Sequence, residues 1–517
     1  MPLKKTFLPL SCLATLAFVA CGCGIINDIN GKSNPPSNPQ PNPPSTPQPA
    51  SLSSINHIIF LAQENRGLDS YFGALRDYWA KNGYPDQSFD GLPQFNPASG
   101  ASPLRGPAPT NPGCDPKSPA PADCVFDSNN LVTSFHFKTM CAENPSPFWN
   151  ESHVDWDYSD TTGQKAATLN GFVWTAGHDA RTQQPPFTDT NGLRAMGYYT
   201  GDDLNYYYFM ASRFATSDRW FSPVMTRTNA NRDYLIAGTS QGTVYPPGTN
   251  AKDSSALTAR TIFEQMQAAG VSWKIYVNPQ KSSCTGPPYD PACLLKLSYV
   301  AAFAFGQVIP SKYAQNIAPI SQFFTDLQNG TLPQVAQIEP ATDAGLDEHP
   351  TNIDADPSNV QSGAQYVSTL INALMASSSW KDSAFILTWD EGGGFYDHVA
   401  PQPTVSPDGI KPSDLQTGDI CTTSTGPTCD FTYTGYRVPM IVISPYAKKN
   451  FVSHTTMDYT AILKLIETRF NLQPLTKRDA AQPDMTEFFD FAGAPWMTPP
   501  SPPNQATNGA CYTNTLP

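Results

Sequence analysis

Two short strings in this 517-residue chain set carboxylate and amide oxygens directly behind apolar runs. Glu64-Asn65 follows the run from Ile55 to Ala62, and Asp390-Glu391 follows the run from Ser383 to Trp389. A buried strand that ends in carboxylates needs a counter-charge at that end. Hard cations take carboxylate and amide oxygens, so such ends suit a cation. One string alone is accounted for as a cap on the loop or helix behind it. Two, each flanked by glycine or small polar residues, point to one shared divalent cation held by Glu64, Asn65, Asp390 and Glu391. The Gly392-Gly393-Gly394 run permits tight backbone geometry and carries no P-loop pattern.

Carboxylates so far apart in sequence need a scaffold that brings strand ends to one place. The run at 55–62 reads as a buried parallel strand, and a helical pattern follows over Leu68–Lys81. Residues 83–130, rich in Pro, Gly, Asn and Asp, read as a surface excursion. Helix signals recur over Ala259–Ala269 and Val360–Met375, the latter with Val360, Ala364, Val367, Leu370, Ile371 and Leu374 on one face. Strand signals recur over 271–277, 383–389 and 438–443, and a helix over Asp458–Phe470. Alternating strands and helices predict an α/β fold, three-layer α/β/α with a largely parallel central sheet. Ligands in such sheets sit beyond the carboxyl ends of strands, where both acidic strings lie.

The net charge of -13 and the lack of a basic patch exclude a nucleic-acid partner from the expectations. Lys4-Lys5 followed by the apolar run Phe7–Ala20 reads as an export signal over 1–21, too short for a membrane span. Phe18-Val19-Ala20-Cys21 resembles a lipobox, so Cys21 is a lipidation candidate that would attach the chain to a membrane; a plain secretory signal is the alternative. Residues 22–54 form a Pro-rich linker, 55–490 one catalytic domain, and 491–517 a C-terminal extension. Three cysteine pairs lie close in sequence: Cys114 with Cys124, Cys284 with Cys293, and Cys421 with Cys429. In an oxidising compartment these are natural disulfides, and Cys141 with Cys511 is the remaining pairing. The expected location is outside the cytosol, as a cell-envelope lipoprotein or a periplasmic or secreted protein.

Glu64-Asn65-Arg66 through Asp69-Ser70-Tyr71-Phe72-Gly73 resembles the opening motif of the bacterial phosphoesterase family of phospholipases C and acid phosphatases. Thr388-Trp389-Asp390-Glu391-Gly392-Gly393-Gly394-Phe395-Tyr396-Asp397-His398-Val399 resembles its second signature, and Tyr436-Arg437-Val438-Pro439 and Asp458–Asn471 continue the likeness. The resemblance implies an alkaline-phosphatase-like fold and metal-dependent hydrolysis of phosphoesters, phospholipids included. It implies a metal-bound Ser or Thr nucleophile three residues before an Asn-Arg pair. Asn231-Arg232 places that residue at Thr228, with Thr226 as the nearby alternative. The family's Gly-Pro before the nucleophile is Thr226-Arg227 here, and its Pro before Asn-Arg is Ala230. The short tail after the last family helix implies the compact acid-phosphatase branch.

A hydroxyl on a cation becomes a competent nucleophile, and attack on phosphorus would give a phosphothreonyl enzyme that water cleaves. Among seven histidines, His153 and His349 resemble family positions that contact phosphate oxygens or protonate the leaving group. A further family histidine is Pro147 here. His398 reads as a loop buttress and His57 as a structural histidine. The tyrosines from Tyr198 to Tyr208 could cage a choline headgroup, but a buried aromatic helix is the better reading. A ligand-binding surface protein on an inactive hydrolase scaffold would predict eroded motifs, which these are not. A sulfatase would need Cys or Ser before Pro and Arg, and Cys114-Asp115-Pro116-Lys117-Ser118 lacks the Arg.

Overall fold

The computed structural model describes residues 50–183, 187–247, 249, 256–279, 284–350, 359–511 and 516. The export signal, Cys21 and nearly all of the linker therefore lie outside the described residues. Eight strands form the central sheet: β1 (His57–Gln63), β2 (Ala215–Ser217), β3 (Trp273–Val277), β4 (Ile317–Pro319), β5 (Val335–Ile338), β6 (Ser383–Trp389), β7 (Met440–Ile443) and β8 (Phe451–Ser453), in the spatial order β8-β2-β7-β6-β1-β5-β3-β4. Five of the seven neighbouring pairs are parallel. Only β7 runs against its neighbours. The fold is thus α/β with a mostly parallel sheet, as the alternation predicted.

Both faces of the sheet centre are covered. Every residue of β5, β6 and β7 is buried, and so is all of β1 except His57. This explains why β1, β6 and β7 read as continuous apolar runs rather than alternating ones. His57 sits at the start of β1, its Nδ1 2.8 Å from the Pro333 carbonyl, a structural role.

The helix expected over 68–81 is two helices, α1 (Leu68–Phe72) and α2 (Leu75–Asn82). The chain bends at Gly73, where a Cβ would lie 2.6 Å from the Leu92 side chain. Next come α3 (Trp149–Trp156), α4 (Phe172–Thr182), α5 (Asn205–Arg213) and α6 (Thr228–Ala237). Tyr206, Tyr207 and Tyr208 on α5 are fully buried, so the tyrosine run is core and not a headgroup cage.

All four expected cysteine pairs are bonded: Cys114–Cys124, Cys284–Cys293, Cys421–Cys429 and Cys141–Cys511. The last one fastens the tail, which is also laced down by backbone. Met140 N–H donates to the Ala510 carbonyl at 2.9 Å, and the Trp380 indole to the Trp496 carbonyl at 2.9 Å. Among the described residues no helix is long and apolar enough to cross a membrane.

Candidate active site

β1 and β6 are parallel neighbours in register, with Gln63 opposite Trp389. Glu64 and Asp390, the next residue of each, therefore emerge side by side at the carboxyl edge of the sheet. Asn65 N–H donates to Asp390 Oδ1 at 2.8 Å, and Glu391 N–H to the same oxygen at 2.9 Å. Asn65 has φ of +56°, a left-handed conformation that Asn tolerates better than most residues. The glycine run supplies the rest of the turn. Gly393 N–H donates to Glu391 Oε2 at 2.5 Å. A Cβ on Gly393 would meet the Asn65 carbonyl at 2.2 Å, at a φ of +70°. The glycines thus let the two strand tips touch.

Thr228 opens α6 and turns its hydroxyl onto this edge, 3.2 Å from Glu64 Oε2 and 3.4 Å from Asn65 Oδ1. Asn231 holds the turn that presents it: Oδ1 accepts from Val224 N–H at 3.1 Å and Nδ2 donates to the Thr226 carbonyl at 2.7 Å. Thr226 points elsewhere, its hydroxyl donating to the Val244 carbonyl at 3.1 Å. Of the two candidate threonines, only Thr228 meets the acidic strand tips.

Arg232, one turn along α6, reaches the same carboxylates. Its Nη2 donates to Glu64 Oε1 at 2.8 Å, and its Nε lies 3.3 Å from Asp390 Oδ2, close but not aligned as a hydrogen bond. The Tyr299 hydroxyl donates to Glu64 Oε1 at 3.0 Å, and its ring packs under the Arg232 guanidinium. Burial works against the charge on Arg232, but Glu64 and Asp390 outweigh it.

Three buried carboxylates converge here against one guanidinium. Burial pushes the Glu64 carboxyl up to about 8; Arg232 opposes this, while Asp390 and Asp347 add to it. Burial and the charge of Asp390 also raise Glu391. Asp390 Oδ2 and Glu391 Oε1 are buried with no hydrogen-bond donor. This excess of negative charge with orphaned oxygens is the environment that an added cation would balance.

His349 belongs to the neighbourhood. Glu64 N–H donates to the Asp347 carbonyl at 2.9 Å, and His349 N–H to Asp347 Oδ1 at 3.2 Å. His349 lies near enough to Glu64 for its charge to lower the Glu64 carboxyl. His153 does not fit its expected role. It is fully buried in α3, with Nδ1 2.6 Å from the Trp149 carbonyl and Nε2 3.1 Å from the Thr428 carbonyl. Both ring nitrogens are engaged within the fold, and none is left for a phosphate or a leaving group.

A second cluster, Asp69, Asp397 and His398, has its ligand atoms within 4.8 Å of one another. Arg437 already occupies it, with Nη2 3.1 Å from Asp69 Oδ1 and 2.5 Å from Asp397 Oδ1. His398 adds a bond from Nδ1 to Asp69 Oδ2 at 2.7 Å and one from Nε2 to Asp90 Oδ1 at 3.1 Å. Two basic groups answer these carboxylates, so this is an internal brace, as the buttress reading of His398 expected.

Arg232, Asp347 and Tyr299 went unassigned in the sequence. Arg232 was visible as the i+4 partner of Thr228, whereas no local signal marks Tyr299. A cleft of about 680 Å³ opens next to Asn229, the neighbour of Thr228, and Tyr299, the partner of Glu64, with Lys296, Pro340, Thr342 and Asp343 among its other lining residues.

Residues 55–473 match the family described as the Phosphoesterase family. The chain is 31% identical over 482 residues to phospholipase C B of Mycobacterium tuberculosis, covering 88% of this chain and 80% of that one. It is 26% identical over 490 residues to hemolytic phospholipase C of Pseudomonas aeruginosa, covering 86% of this chain and 57% of that one. Among solved structures it is similar to murine ectonucleotide pyrophosphatase/phosphodiesterase 5, with a TM-score of 0.33 and 13% identity over 56% of this chain and 95% of that one.

Proposed function

The chain belongs to the Phosphoesterase family and is a phosphoester-hydrolysing enzyme; on that premise we propose that it works through Thr228 as nucleophile, with a divalent cation held by Glu64, Asn65, Asp390, Glu391 and the Thr228 hydroxyl. The observation that carries this reading is the Thr228 hydroxyl 3.2 Å from Glu64 within a carboxylate cluster that its single arginine leaves under-neutralised. When bound, the cation would lower the pKa of the hydroxyl and offset charge on the phosphoryl group.

The chain's own residues supply the rest. Arg232 and Tyr299 keep Glu64 oriented. The N-terminus of α6, where Thr228 sits, presents unpaired backbone N–H groups suited to phosphoryl oxygens. Thr228 gives its hydroxyl proton to solvent, its Oγ1 forms a bond to phosphorus as the bond from phosphorus to the leaving alcohol breaks, and a protonated His349 delivers its proton to that departing oxygen. Water then attacks the phosphothreonine, releasing phosphate or a phosphomonoester and restoring the hydroxyl. In-line displacement places the leaving alcohol opposite the attacking oxygen, and the cleft next to Asn229 and Tyr299 offers room for a bulky substituent.

The two relatives are phospholipases C, which favours a phosphodiester, phospholipids included, as the substrate. The compact acid-phosphatase reading stays as the alternative, and the match over 80% of phospholipase C B supports the phosphodiester reading beside it. The cysteine bonds suit an oxidising compartment, which supports an exported enzyme. Membrane attachment through a lipid on Cys21 remains part of the proposal.

The test is hydrolysis of p-nitrophenyl phosphate, p-nitrophenyl phosphorylcholine and phosphatidylcholine vesicles, each before and after chelation. Turnover should vanish with chelator and return with added divalent metal. Full turnover in protein shown by elemental analysis to be metal-free would overturn the cation's role. Activity confined to the monoester would return the chain to the acid-phosphatase reading.

A further inference from the structure

Glu348 is not a ligand candidate, yet it touches both strand tips. Its Oε1 accepts from the Tyr207 hydroxyl at 2.5 Å and from Gln63 Nε2 at 3.3 Å. Its Oε2 accepts from the Tyr71 hydroxyl at 2.8 Å and from the Trp389 indole at 3.1 Å. Gln63 and Trp389 are the register partners that immediately precede Glu64 and Asp390. Arg66, next to Asn65, clamps the Glu348 backbone carbonyl through Nε at 2.9 Å and Nη2 at 2.7 Å. One buried residue thus gathers β1, β6, α1 and α5.

Its backbone adds a second observation. Glu348 has φ of +71°, where glycine is the ordinary occupant. A long acidic side chain persists in such a conformation when its surroundings hold it there. Gly363 leaves the space, since a Cβ at that position would lie 2.2 Å from Glu348 Cγ. Glu348 is also the middle of a three-residue turn whose outer members meet the acidic centre. Asp347 accepts from Glu64 N–H through its carbonyl and from His349 N–H through its carboxylate.

We propose that Glu348 is a positioning residue that bolts the Asp347–His349 turn to the two strand tips and thereby aims His349 at the leaving group. This rests on the reading of His349 as proton donor given above. The carboxylate is suited to the task because it is acceptor-only and has room for four donors. An amide of the same shape would turn its own NH₂ toward donors that it could not satisfy.

The experiment is a double-mutant cycle on phosphatidylcholine vesicles, whose alkyl alcohol needs a proton to leave, with Glu348→Gln, His349→Ala and the pair. Both single variants should stay folded by circular dichroism and lose kcat by at least about tenfold, with KM little changed. If Glu348 acts through His349, the pair will be no slower than His349→Ala alone. Losses that multiply would overturn the positioning role. Should Glu348→Gln fail to fold, Tyr207→Phe, which removes a single donor, makes the same comparison. Full activity in His349→Ala would instead remove the proton-donor reading itself, so the two failures are distinguishable.

Discussion

Thr228 and Arg232 stand one helical turn apart and grip the two oxygens of one carboxylate, Glu64. That geometry separates the candidate threonines. Thr228→Ala should reduce turnover by about 10³-fold or more with an unchanged fold, and Thr228→Ser should retain measurable activity. Thr226→Ala removes only a bond to the Val244 carbonyl, worth about 1 kcal/mol of stability, and should keep kcat within about tenfold of the parent. Steady-state kinetics with thermal melts on the three variants checks this, and an inactive, well-folded Thr226→Ala would reverse the assignment. At this scale the acidic strings were legible because carboxylates at the ends of apolar strands stand out in any sequence. His153 misled because its type and its neighbours said nothing about where its ring nitrogens point. Tyr299 and Glu348 were invisible for a related reason: each matters through contacts with residues hundreds of positions away.

Strands β1, β3, β6 and β7 were legible from their apolar runs, unlike the three- and four-residue β2, β4, β5 and β8, and the mostly parallel sense of the sheet from the helices between strands. The reversal of β7 was not, since a four-residue buried run reads the same in either direction. Nor was the break between α1 and α2, which comes from Leu92 packing against Gly73 across the excursion. The contact between the β1 and β6 tips depends on Gly393, which combines positive φ with an approach that leaves no space for a Cβ. Gly393→Ala should cost about 1–3 kcal/mol in urea unfolding and push Asn65 out of place, with a larger loss of turnover than Gly409→Ala. Gly409 is the proper control: it also has positive φ, but a Cβ there meets nothing within 4 Å. Equal effects at the two positions would mean that backbone conformation, and not the meeting of the tips, governs.

Across the whole molecule, the brace of Asp69, Asp90, Asp397, His398 and Arg437 ties the opening motif to residues near the end of the domain. Burial opposes a charged His398, but Asp69 and then Asp90 outweigh it and raise the imidazole from 6.5 to about 9. Below pH 6.5 both folded and unfolded chains carry the proton, and the brace contributes in full. Between 6.5 and about 9 only the folded chain keeps it, so the contribution declines and is lost above that window, on the order of 2–3 kcal/mol in all. Melting temperature should therefore fall faster between pH 7 and 9.5 in the parent than in His398→Asn, and parallel profiles would refute the linkage. The bond from Asn65 to Asp390 spans 325 residues of chain. Synthesis delivers those two residues at very different moments. A chain growing from its amino end exposes Glu64 and Asn65 early and can offer them Thr228, Arg232 and Tyr299 well before the second acidic string has emerged. On the proposed site, the second pair of carboxylates is therefore the last part to arrive, and every shorter intermediate lacks it.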